Sequence, residues 1–185
     1  VWAMPPAIHR TGGKAIVART VCCVPPGSMD STVKNLEWGD LMRGLLELLI
    51  EGDYLFLTDG NANLTEGSGY NIVIIKDRAL YIPDHGVLEG VTRKAVLEIA
   101  QKNGIYVHVQ VVPVEMAFQS DEIFICSTAG GIIPITSIYG HPVNRGQIGP
   151  VAKLIWMDIG LALQPFFRFA INYGESQESV GSFPD

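Results

Sequence analysis

The stretch from residue 71 to 82 constrains this chain more than any other. Two apolar runs, 71–75 and 79–82, are separated only by the charged tripeptide Lys76-Asp77-Arg78. Strand-sized apolar runs with so short a connection read as an antiparallel hairpin. A sheet built on such a pair departs from the all-parallel sheet of a doubly wound nucleotide-binding domain. No Gly-x-Gly-x-x-Gly follows a predicted strand either, and a regular strand-helix alternation is absent.

The remaining patterns fill in an α+β domain with a curved, partly antiparallel sheet. Residues 14–21 read as a strand, broken by Pro25-Pro26-Gly27-Ser28. Residues 38–51 read as a helix: Leu41, Leu45, Leu48 and Leu49 fall at helical spacing, and Gly52 ends it. A short strand over 54–57 is closed by Thr58-Asp59-Gly60-Asn61. A second helix covers 92–101 and ends at Asn103-Gly104. Residues 107–112 form a loosely alternating strand, and 113–119 one or two helical turns. A strand over 122–126 runs into Ser127-Thr128-Ala129-Gly130-Gly131, another covers 132–139, and a third helix is expected over 149–163. Beyond Gln164 the chain turns polar and rich in Gly and Ser, so 171–185 are expected to be a flexible tail after a domain spanning 1–170.

Composition narrows the function classes. The chain of 185 residues is 48% apolar and 17% charged, enough for one domain with a buried core and too apolar for disorder. A net charge of −6 without a basic stripe makes nucleic acid an unsuitable partner. No apolar run approaches the roughly 20 residues of a membrane helix. The first residues, with Pro5, Pro6, His9 and Arg10, do not read as a signal peptide. Three cysteines, Cys22, Cys23 and Cys126, lack framework spacing and point to free thiols in a reducing, cytoplasmic setting. Because the chain starts at Val1 and enters a strand almost at once, it is expected to come from a longer protein or to have lost its start.

Four short motifs lie near predicted element ends. Lys34 stands in Thr32-Val33-Lys34-Asn35-Leu36-Glu37-Trp38-Gly39-Asp40, just before a helix, in apolar and aromatic company. Partly buried there, a lysine loses proton affinity and becomes a nucleophilic amine; the plain alternative is a solvated lysine at a helix entrance. Glu66 stands in the turn Leu64-Thr65-Glu66-Gly67-Ser68-Gly69, where glycines allow close approach to a ligand, or simply shape a polar turn. Leu88-Glu89-Gly90-Val91-Thr92-Arg93-Lys94 opens the second helix. Its free N–H groups and the Thr92 hydroxyl suit a phosphate, or make an ordinary capping turn. Ser127-Thr128-Ala129-Gly130-Gly131 ends a strand in small and hydroxylated residues, a second place for an anion or a loop that needs glycine.

Singly these motifs are weak; in this order they resemble the fold-type IV pyridoxal 5'-phosphate (PLP) enzymes, over residues 4–163. The chain is most similar to the fungal (R)-selective amine transaminases, including the flanks Pro25-Pro26-Gly27-Ser28-Met29-Asp30, Trp38-Gly39-Asp40 and Ala129-Gly130-Gly131-Ile132. The resemblance implies the large C-terminal domain of the D-amino-acid and branched-chain aminotransferase fold, a pseudo-barrel with flanking helices, here without the family's small N-terminal domain. It implies PLP as cofactor, with Lys34 as the Schiff-base lysine that later shuttles the proton and Glu66 as the carboxylate on the pyridine nitrogen. It further implies Val91, Thr92 and Thr128 as phosphate ligands, and Trp38, Ser127 and Ala129 as the edge of the substrate pocket. The implied reaction moves an amino group from a primary amine or amino acid to a keto acid such as pyruvate, with (R)-selectivity, in a homodimer. An aminodeoxychorismate-lyase-like enzyme and a truncated, non-catalytic paralogue are the alternatives. Cys22-Cys23 departs from the basic residues that close relatives carry there.

Other tempting residues read plainly. His9, His85, His108 and His141 are scattered and complete no zinc spacing with the cysteines, so no metal is expected. His85 reads as a satisfied loop histidine. Glu98, Asp121 and Glu122 read as solvated charges, and Trp156 and Phe166-Phe167 as packing or a subunit contact.

Overall fold

The computed structural model describes residues 11–23, 28, 30–34 and 39–159. Among the described residues eleven strands form: β1 (Gly13–Val17), β2 (Tyr54–Phe56), β3 (Asn63–Leu64), β4 (Glu66–Gly67), β5 (Tyr70–Lys76), β6 (Ala79–Pro83), β7 (Tyr106–Gln110), β8 (Val112–Pro113), β9 (Glu122–Ser127), β10 (Gly131–Ile138) and β11 (His141–Pro142). The helices are α1 (Gly39–Glu51), α2 (Val91–Lys102), the short α3 (Val114–Phe118), and α4, described over 150–159.

The main sheet runs β2-β1-β10-β9-β5-β6-β7, with β11 on β10 and β4 on β5. Its centre is antiparallel, while β1 pairs in parallel with both β2 and β10, and β6 with β7. The sheet also curls onto itself. Just past β2, the Leu57 N–H donates to the Glu66 carbonyl at 2.9 Å, and the Thr65 N–H donates to the Leu57 carbonyl at 3.0 Å. Because β4 pairs with β5, these bonds close a ring through β2, β1, β10, β9, β5 and β4.

Closure explains why the central strands are apolar on both faces. Side chains alternate across a strand. Ile72, Ile74, Ile123, Ile125, Ile133 and Ile135 turn into the ring with Val17, Tyr54 and Phe56. Val73, Ile75, Phe124 and Ile132 turn outward, under Val96 and Ala100 of α2 and Ala152 and Ile155 of α4. A second outer patch, Ile16, Leu55 and Leu57, is covered by Leu41 and Leu48 of α1.

Three sequence expectations change. The hairpin loop is two residues, not three. Lys76 pairs with Ala79, and Asp77 and Arg78 both take positive φ, at 50° and 61°, the geometry of a type I′ turn. The first strand ends at Val17 rather than residue 21, because the Glu47 carboxylate of α1 takes the N–H groups of Arg19 and Thr20 at 2.8 and 3.0 Å. Glu122 is not a solvated charge but is buried. Its two carboxylate oxygens accept the N–H groups of Val151 and Ala152 at 3.0 and 2.9 Å, capping α4 from across the fold. The third-helix expectation beyond residue 159 and the tail expectation at 171–185 lie outside the described residues.

Candidate active site

The antiparallel pairing of β5 with β9 sets Asn71 opposite Cys126, so the start of one strand and the end of the other meet at one rim of the ring. There a cavity of about 160 Å³ opens, lined in part by Lys34, Asp40, Glu66, Thr92, Ser127 and Thr128. These residues come from the segment before α1, from α1 itself, from β4, from the first turn of α2, and from the end of β9 with the turn that follows it. Five separate stretches of sequence thus converge on one space.

Glu66 carries the main electrostatic tension. Burial pushes its carboxyl up to about 7, and the nearby Asp40 adds to the rise. The Leu88 N–H, Arg93 and Lys34 oppose it. Among the described residues both hydrogen bonds fall on Oε2: the Leu88 N–H at 2.8 Å and Asn71 Nδ2 at 3.4 Å. Oε1 is left for whatever enters the cavity. Behind it, the buried Arg93 donates from Nη2 to the Pro83 carbonyl at 3.1 Å, and its Nε has no partner among the described residues. A partly desolvated carboxylate of this kind favours a cationic ligand group.

The opposite chemistry lies at the start of α2. Gly90 is its N-cap, with no side-chain hydrogen bond, and no acidic residue occupies the first turn. The first N–H groups and the helix dipole therefore remain available to an anion beside the Thr92 hydroxyl. Gly90 is required by close packing, since a Cβ there would lie 2.6 Å from Asn71 Oδ1. Thr128 faces the cavity from the β9–β10 turn, which Ser127 shapes by accepting the Gly130 N–H on Oγ at 2.9 Å.

Of the residues expected from sequence, Lys34, Glu66, Thr92, Ser127 and Thr128 are brought together. Lys34 is exposed, at the entrance to α1 and on the edge of the cavity. The Val91 side chain is 77% exposed and lines no part of the cavity, leaving only its backbone to serve. Ala129 is exposed and outside the lining, and Trp38 lies outside the described residues. Sequence reasoning missed Asn71, whose Nδ2 also donates to the Leu88 carbonyl at 2.8 Å and so ties the loop before α2 to Glu66. The signal was present: the Gly67-Ser68-Gly69 turn folds the chain back and sets Asn71 across from Glu66. Cys23 and Cys126, read from the sequence as free thiols, also line the cavity. Burial pushes their pKa values up to about 11 and about 12, which disfavours the thiolate form in both.

Comparison with known proteins agrees with this fold. A Methanocaldococcus jannaschii protein provisionally named a branched-chain-amino-acid aminotransferase is 31% identical over 153 residues, covering 81% of this chain and 53% of the relative. The Escherichia coli branched-chain amino acid aminotransferase structure superposes with a TM-score of 0.77 at 30% identity, over 83% of this chain and 52% of that one. The T.th. branched-chain amino acid aminotransferase, solved in complex with N-(5'-phosphopyridoxyl)-L-glutamate, superposes with a TM-score of 0.73 at 29% identity, over 80% of this chain and 50% of that one. The chain spans about half the length of these relatives. The family profile for class IV amino-transferases matches residues 2–138. With that match over most of its length, and with the curled mixed sheet of the solved relatives, the chain belongs to the class IV aminotransferase family.

Proposed function

We propose that this chain is the lysine-bearing, cofactor-binding part of a PLP-dependent transaminase. It would move an amino group from a primary amine or amino acid to a keto acid. The observation that carries the reading is the convergence of Lys34, Glu66, Thr92 and Thr128 on one cavity that has an acidic side and an anion-accepting side. The cavity fits a phosphorylated pyridine. Glu66 offers a partly desolvated carboxylate, and the start of α2, which has no side-chain cap, offers with Thr92 and Thr128 donors for a phosphate.

When bound, PLP supplies the electron sink that stabilises negative charge at the amine-bearing carbon. The side chains supply position and protons. Lys34 would hold the cofactor covalently through Nζ, then, once released, take and return the substrate proton as acid and base. Glu66, fixed through Oε2 by the Leu88 N–H, would keep the pyridine nitrogen protonated. Thr92, Thr128 and the first N–H groups of α2, that of Val91 among them, would anchor the phosphate. Trp38, Ser127 and Ala129 are proposed for the substrate side.

The similarity of the flanks to the fungal (R)-selective amine transaminases supports a chiral primary amine as donor and pyruvate as acceptor. The branched-chain aminotransferase relatives support a second reading, a branched-chain amino acid as donor. The lyase alternative fits less well, since these relatives are aminotransferases. A homodimer and a cytoplasmic setting accompany the family reading. The free Cys22, Cys23 and Cys126 support a reducing compartment, and no helix among the described residues is long and apolar enough to cross a membrane.

The test is covalent trapping followed by a donor panel. Borohydride reduction of the PLP-loaded protein is expected to fix the cofactor to the peptide bearing Lys34. Label on another lysine, or none in a PLP-saturated protein, removes the reading. Amino transfer from an (R)-amine to pyruvate, against transfer from L-leucine to 2-oxoglutarate, then separates the two donors.

A further inference from the structure

His85 does not line the cavity, yet it stands between two carboxylates. Its Nδ1 lies 2.7 Å from Asp84 Oδ1, and its Nε2 lies 3.2 Å from Asp59 Oδ2. A carboxylate only accepts hydrogen bonds, so each ring nitrogen must donate, and only the imidazolium carries two N–H groups. Neutral imidazole could serve one carboxylate and would turn a lone pair toward the other.

Asp59 is a firm anchor. Its Oδ1 accepts the N–H groups of Asn61 and Asn63 at 2.7 and 3.1 Å, and Oδ2 accepts Asn63 Nδ2 at 2.8 Å. Burial works against its charge, but the hydrogen bonds from Asn63, Asn61 and His85 outweigh it and hold the carboxyl well below the usual range. The chain leaving His85 then does three things within five residues. The Gly86 carbonyl accepts the Cys23 thiol at 3.5 Å, the Leu88 N–H reaches Glu66 Oε2, and Gly90 starts α2.

We propose that His85, as the imidazolium, is a positioning residue. It pins residues 84–90 to Asp59, so that the Leu88 N–H meets Glu66 and the start of α2 faces the cavity. On the reading of the site as a PLP site, which this extends, cofactor retention depends on the protonation of a residue that touches no cofactor. Among the described residues, the charged groups facing the ring are Asp84 and Asp59. The Asp84 hydrogen bond, against partial burial and helped by Asp59, raises the imidazole above its ordinary 6.5. The clamp is therefore complete below pH 6.5 and is lost as pH rises through the raised value. Glu66 runs the other way, gaining its charge as pH rises through about 7. Cofactor affinity is thus expected to fall on the acid side as Glu66 loses its charge and on the alkaline side as His85 loses its proton.

The experiment uses the parent chain, His85→Asn, and His85→Arg, which keeps a cation with several N–H donors at every accessible pH. In the cofactor-free proteins, hydrogen exchange at the Leu88 amide is followed across pH, with the His85 titration read by NMR in the parent. Protection of that amide, its exchange rate relative to the intrinsic rate at the same pH, should fall in the parent as His85 deprotonates. It should be about tenfold lower in His85→Asn at acidic pH and stay high throughout in His85→Arg, the ratio expected for one lost charge-assisted hydrogen bond. A His85 that titrates at or below 6.5, or Leu88 exchange in His85→Asn that matches the parent, overturns the clamp. PLP titration by fluorescence forms a separate arm. The parent should lose about tenfold in affinity on the alkaline side and His85→Arg should not. A parent that binds no PLP at any pH sinks the functional reading, while the exchange data still decide the clamp.

Discussion

Replacing Glu66 with Gln should stabilise the cofactor-free protein, and do so only at neutral and alkaline pH. The carboxyl sits on the ring's rim with burial pushing it from the ordinary 4.5 up to about 7. An acid whose folded value is raised costs stability when it ionises. The penalty is absent below pH 4.5, grows between 4.5 and about 7, and is complete above that. The displacement from 4.5 to about 7 corresponds to about 3 kcal/mol of folding free energy. Gln keeps the size and can turn its carbonyl oxygen to the Leu88 N–H, so the hydrogen bond at Oε2 survives while the buried charge does not. Urea melts of parent and variant at about pH 4 and about pH 8 would read this directly. We expect equal stability at the acid end and a variant more stable by up to about 3 kcal/mol at the alkaline end. With PLP present the order should invert, because a pyridinium would compensate the carboxylate and not the amide. A stability difference that does not change with pH would refute the account of Glu66 as a charge buried in wait for a cation.

Two further changes test the surroundings. Thr92→Ala should weaken PLP binding by about 1–3 kcal/mol without lowering the melting temperature, because Thr92 makes no cap on α2; equal affinity would leave the helix start as plain structure. Glu122→Ala should destabilise the fold by about 1–2 kcal/mol, measured by chemical denaturation, since it strips the partners from the Val151 and Ala152 N–H groups. An unchanged midpoint would mean that water replaces the carboxylate at no cost.

Local pattern alone determined much of this protein. The paired strands β5 and β6 follow from two apolar runs with three polar residues between them, and α1 follows from leucines at helical spacing, because side-chain period is a property of a few consecutive residues. The four motifs that meet at the cavity were legible for a related reason. Each sits where an element begins or ends, and the glycines, hydroxyls and charges that ends require stand out from apolar runs. What sequence could not decide was which surfaces face each other. The parallel pairing of Ala15 with Ile138, and the ring closure through Leu57 and Glu66, join positions whose pattern shows only that they are strand-like. Glu122 looked solvated because its own neighbours are polar, yet its environment is the start of a helix nearly thirty residues away. Lys34 read either as a partly buried amine or as a solvated lysine at a helix entrance, and the fold leaves it exposed. His85 read as a satisfied histidine, but only the folded chain brings Asp59 to its far nitrogen and so makes the ring a cation. Burial and charge state depend on what lies opposite in space, and that is settled by the packing of the whole sheet rather than by any short stretch of it.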